Sequence, residues 1–135
     1  AGTNDIAGNT GAATMAAVQG NIQSMAELAR AHGIKVILAS IPPAKAFPWA
    51  KDKVPAPQVA AMNAWLQAYA ARNGFTWVDY HPVLATADGA MKPGLASDGV
   101  HPTQAGYDAM IRGVEPLLKA HRLVQPASGW VPGLP

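Results

Sequence analysis

Apolar residues recur every three or four positions in three stretches of the chain. From Ala13 to His32, Met15, Val18, Ile22, Met25 and Leu28 fall on one face of a helix. Thr10 or Thr14 is placed to cap its start, and Gly33 stands where a left-handed residue closes a helix. The second stretch runs from about Pro57 to Asn73. Val59, Met62, Leu66 and Tyr69 form its stripe, Trp65 flanks it and Gly74 follows. The third begins after Thr103, a suitable N-cap. Tyr107, Met110, Ile111, Val114, Leu117 and Leu118 are expected to face inward, and Pro116 is expected to kink or split it.

Two stretches change period. Lys35 to Ser40, KVILAS, is a short apolar run suited to a strand buried on both faces. Phe75 to Asp79, FTWVD, is aromatic and β-branched and follows the helix-closing Gly74. Strands alternating with helices predict βαβ units, a parallel sheet and an α/β fold. In such sheets, ligand-facing residues sit just past the carboxyl ends of strands. Ala1 to Asp5, AGTND, reads as a loop of that kind, so the strand it follows would precede Ala1.

Composition narrows the classes. The 135 residues suit a single domain, expected over residues 1–124, with residues 125–135 as a tail holding Trp130 and three prolines. Half the residues are hydrophobic and 13% are charged, which excludes a disordered chain. The net charge of +2 is scattered, with no basic stripe, which argues against a nucleic-acid partner. There is no cysteine, so disulfides, thiol catalysis and thiolate metal sites are excluded.

One long connection, Ile41 to Ala56, carries four prolines with Phe47 and Trp49. Proline stiffens it without making it helical. Phe47 and Trp49 either wall a pocket or pack on the core.

The chemistry concentrates in SDGVHPTQAGY, Ser97 to Tyr107. Asp98 and His101 lie three residues apart in a turn. That spacing lets the carboxylate accept the imidazole Nδ1–H, fix the tautomer and leave Nε2 as a base. Alone, Asp-x-x-His is more often a structural turn. Asn4 is a second candidate: at a strand-end turn its amide can face a developing oxyanion. Gly2 permits the close turn, and Thr3 and Asp5 can hold it through side-chain to backbone bonds. A simple Asx-turn is the plain reading of that block taken alone. His81 with Asp79, Asp98 and His101 has metal-ligand chemistry but lacks metal-ligand spacing. His32 and His121 read as helix C-terminal caps.

Taken together and in this order, Gly2-Thr3-Asn4-Asp5 and Asp98-Gly99-Val100-His101-Pro102 resemble the blocks of the SGNH (GDSL-type) hydrolases, over Gly2 to about Leu123. The resemblance implies a flavodoxin-like three-layer α/β/α sandwich and ester hydrolysis by a Ser-His-Asp triad. It implies Asp98 and His101 as triad members, Asn4 as an oxyanion donor, Gly2 and Asp5 as supporting positions, and no metal or organic cofactor. Substrates in the family are acyl esters of alcohols, sugars and lysolipids. A secreted or periplasmic location fits many of its members.

The family's nucleophile lies in a Gly-Asp-Ser block, and a glycine of another block adds a second oxyanion donor. Neither block occurs here: Ser24, Ser40, Ser97 and Ser128 do not follow Gly-Asp. The expectation is therefore the C-terminal portion of such a hydrolase, with the N-terminal strands and the serine outside these residues. The expected partners are an N-terminal segment, covalently joined or nicked, a small-molecule ester, or a second copy covering the open sheet. The competing readings are a non-catalytic pseudo-hydrolase that binds a ligand or partner, and a metal-dependent deacetylase.

Overall fold

The computed structural model describes residues 2–9 and 11–120. Residues 121–135, with His121 and the expected tail, lie outside the described residues. The elements in chain order are α1 (Thr3–Ala7), α2 (Met15–Ala31), β1 (Ile37–Ala39), α3 (Pro55–Asn73), β2 (Thr76–Val78), α4 (His81–Leu84) and α5 (Gln104–Ala120).

Local chemistry sets most of these bounds. The Thr14 hydroxyl accepts from the Ala17 N–H at 3.1 Å, so Thr14 caps α2. Pro55 opens α3, where its missing N–H costs no hydrogen bond, and left-handed Gly74 closes it. The Thr103 hydroxyl accepts from Gly106 N–H at 3.3 Å at the start of α5. Pro116 lies inside α5 without splitting it.

β1 and β2 pair in parallel, with Leu38 opposite Trp77. Both residues pack onto a cluster of Val18 and Ile22 from α2, Ile41, and Val59, Met62 and Leu66 from α3. Alternation turns Ile37, Ala39 and Val78 to the other face, where α5 meets β2. A cluster of Leu84, Met91 and Ala109 joins α4 and α5 there. The result is a helix–sheet–helix sandwich around a parallel sheet.

Three expectations are corrected. The Gly-Thr-Asn-Asp block is not a loop: Gly2 at φ +107° makes the turn, and Thr3 begins α1, closed by Ile6 N–H on Gly2 carbonyl at 2.9 Å. The two strands are three residues each, and β1 is only half-buried. Met25 and Leu28 of α2 are 57% and 63% exposed, and Tyr107 and Ile111 of α5 are 52% and 53% exposed. Of the expected α2 stripe Val18 and Ile22 are buried, with Ala26 beside them, and in α5 the buried positions are Gly106 and Ala109.

The half-burial of β1 and the exposure of Met25 go with an open edge. Val36 carbonyl and Ser40 N–H are both spent on β2, so the two-residue period turns the backbone groups of Ile37 and Ala39 to the other edge. Along that edge runs a groove of about 570 Å³ lined by Ile22, Met25, Ile37, Leu38, Ala39 and Met110. Among the described residues no strand fills it.

Candidate active site

The 95–102 loop is clamped at both ends before its side chains are placed. Ser97 N–H donates to His101 carbonyl at 3.0 Å, and Thr103 N–H to Leu95 carbonyl at 3.0 Å. Gly106 lets α5 sit directly on this loop, since a Cβ there would lie 2.2 Å from the Leu95 carbonyl oxygen. The loop is therefore held by a 17-residue helix and not by its own turn alone.

Within it, Asp98 divides its two oxygens. Oδ1 accepts the backbone N–H groups of Val100 at 3.0 Å and His101 at 2.8 Å. Oδ2 takes the His101 ring at Nδ1, 2.8 Å away. The His101 backbone N–H, then its ring, then the Val100 N–H hold the Asp98 carboxyl down at about 2. A carboxylate accepts only, so Nδ1 carries the proton and the neutral ring presents Nε2 as a base. The spacing allowed this hydrogen bond, and the structure makes it.

Asn4 and His101 come together from opposite ends of the chain. Both line a cleft of about 460 Å³, with Gly2, Asp5, Pro43 and Val100 among its other walls. Gly2 is needed there twice over: its φ is +107°, and a Cβ would lie 2.4 Å from the Ile41 side chain. Asp5 lies partly buried on α1 at the cleft wall.

Phe47 and Trp49 part ways. Phe47 is buried with Ala7, Ala44 and Val100 and does not line the cleft. Trp49 is 43% exposed, stacks on Phe47 at 5.4 Å, and tilts over the His101 ring at 5.5 Å and 39°. Its Nε1–H donates to Asn9 Oδ1 at 3.2 Å, and Asn9 Nδ2 donates to Asn4 Oδ1 at 3.3 Å. Sequence reasoning missed Asn9, because its partners lie five and forty residues away.

His81 is not part of this site. Its Nε2 lies 3.0 Å from both Ile41 carbonyl and Asn63 Nδ2, and Asn63 also accepts Ile41 N–H at 2.7 Å. That polar knot fixes the chain where β1 ends and the proline-rich connection begins. No group of three potential metal ligands gathers among the described residues. His32 Nδ1 lies 2.9 Å from Leu28 carbonyl at the end of α2, as a cap would.

None of the described serines faces the His101 ring. Ser24 hydroxyl donates to Gly20 carbonyl, buried Ser40 accepts Tyr80 N–H, and Ser97 hydroxyl bonds the His101 backbone carbonyl. Ser128 lies outside the described residues.

Comparison with known proteins adds to this geometry. The family model for GDSL-like lipases and acylhydrolases matches residues 1–109. The fold is similar to that of a GDSL-like lipase from Bacteroides thetaiotaomicron VPI-5482, at 45% identity and a TM-score of 0.83, over 90% of this chain and 60% of that one. A protein from Bacteroides fragilis NCTC 9343 is similar at 45% identity and a TM-score of 0.82, over 88% of this chain and 58% of its own. The esterase domain of a zebrafish retrotransposon ORF1 protein shares the fold alone, at 18% identity and a TM-score of 0.63, over 83% of this chain and 63% of that one. The chain thus spans about three fifths of the length of the two Bacteroides proteins. No curated protein matches it significantly. The matched blocks, the parallel sheet and the solved relatives agree: this chain belongs to the GDSL-like lipase/acylhydrolase family.

Proposed function

We propose that this chain carries the acid–base and oxyanion half of a serine-type carboxylic-ester hydrolase. The observation that carries the reading is the Asp98–His101 hydrogen bond in a cleft shared with Asn4. His101 Nε2 takes the proton of a serine hydroxyl that attacks the ester carbonyl. The serine is taken to come from outside these 135 residues, because none of the chain's four serines follows Gly-Asp and no described serine reaches the ring. Asp98 holds the tautomer and stabilises the imidazolium as it forms. The Asn4 amide donates to the oxyanion of the tetrahedral intermediate. His101 then protonates the leaving alcohol, and in the second half-reaction it activates the water that releases the acid. No step calls for a metal or organic cofactor. Short acyl groups suit a shallow cleft bounded by Pro43 and Val100, with Trp49 over His101.

The test is hydrolysis of p-nitrophenyl acetate by the protein with the segment that supplies the serine. His101→Ala is expected to lower kcat by about 10³ or more. Asn4→Ala is expected to lower it by about 10²–10³ with little change in KM. Hydrolysis that survives His101→Ala unchanged contradicts the reading.

A further inference from the structure

An asparagine serves an oxyanion only if its N–H₂ end faces it, and the two ends of the amide are nearly the same shape. Something must decide which end points into the cleft. The indole N–H of Trp49 is a donor and never an acceptor. It points at Asn9, so Asn9 must turn its carbonyl oxygen, Oδ1, to Trp49, 3.2 Å away. That leaves Nδ2 of Asn9 toward Asn4, where it donates to Oδ1 at 3.3 Å. Asn4 then has its oxygen tied on the Asn9 side, and its Nδ2 remains for the cleft it shares with His101. Asn9 is itself anchored, because its backbone N–H donates to Asn4 carbonyl at 2.9 Å.

We infer that Trp49 and Asn9 are positioning residues: the donor-only indole sets the polarity of the Asn9 amide, and Asn9 sets that of Asn4. Trp49 also lies against the other half of the machinery, with its ring tilted over His101 at 5.5 Å and backed by Phe47. One side chain of the proline-rich connection thus registers both the oxyanion donor and the base. The inference rests on the reading of Asn4 as the oxyanion donor.

The discriminating variant is Asn9→Asp. It keeps the shape and the bond to Trp49, but it offers Asn4 an acceptor where Asn9 offered a donor. Asn4 must flip, turning its oxygen into the cleft. In p-nitrophenyl acetate hydrolysis, kcat is expected to fall roughly a hundredfold, with KM little changed. Asn9→Ala frees Asn4 to adopt either orientation and is expected to cost less, about tenfold. Trp49→Phe keeps a ring over His101 and is expected to resemble Asn9→Ala. A merely structural role predicts the opposite order, with the isosteric Asp tolerated better than Ala.

A second readout needs no activity and separates a flip from a simple charge effect. In Asn9→Asp the Asn4 side-chain amide protons gain an acceptor, so their NMR signals are expected to move downfield and exchange more slowly with solvent. Unchanged Asn4 amide signals, or Asn9→Asp as active as Asn9→Ala or more so, would overturn the inference. If His101→Ala hydrolyses the ester as well as wild type, the reading of the site fails instead, and the NMR result still decides the amide polarity.

Discussion

Asp98 shows how one residue can be both structure and chemistry. Its Oδ1 closes the turn through two backbone N–H groups, and its Oδ2 orients the imidazole. Those bonds favour the carboxylate and hold the group at about 2, against an ordinary 3.8. The unfolded chain therefore takes up this proton at a higher pH than the folded one. The stabilisation is fully present above about pH 3.8 and is lost as pH falls toward 2. Asp88, held at about 2 chiefly by Lys45, acts in the same direction. Urea midpoints measured across this window should fall with pH in wild type and fall less steeply in Asp98→Asn. Equal slopes would mean that Asp98 makes no such bonds in solution. Asp98 and His101 were legible in the sequence because three residues of turn bring them together. Asn9 and Trp49 were not read as a pair, because forty residues and the whole proline-rich connection separate them.

Among the elements, α5 does most to hold the site, and it does so through a missing side chain. Gly106 packs on the Leu95 carbonyl, so the helix buttresses the loop bearing Asp98 and His101. Gly106→Ala should force them apart and cost about 1–3 kcal/mol. Gly113→Ala, where a Cβ would meet only Val83 at 3.9 Å, should instead gain up to about 1 kcal/mol from helix propensity. Thermal unfolding of both variants checks this, and a shared direction would rule out the packing explanation. The helices were readable because period and caps are local properties. Which apolar residues are buried was less so. A stripe names a face, but the layer that covers it comes from elsewhere, and Met25, Leu28, Tyr107 and Ile111 remain exposed on theirs.

At the scale of the molecule, β1 has an edge that no other strand pairs among the described residues. Ile37 and Ala39 turn their backbone groups to a groove with apolar walls, and unpaired strand edges ordinarily invite pairing. The Bacteroides thetaiotaomicron relative is matched over only 60% of its length. The proposed function takes its nucleophile from a serine other than the described ones, and an open strand edge beside the site is where further strands would pair. The most direct test is to treat the active protein with a fluorophosphonate probe and map the modified peptide by mass spectrometry. One adduct is expected, on a serine outside these residues, and it is lost in His101→Ala. An adduct on Ser24, Ser40, Ser97 or Ser128, or labelling indifferent to His101, would contradict it.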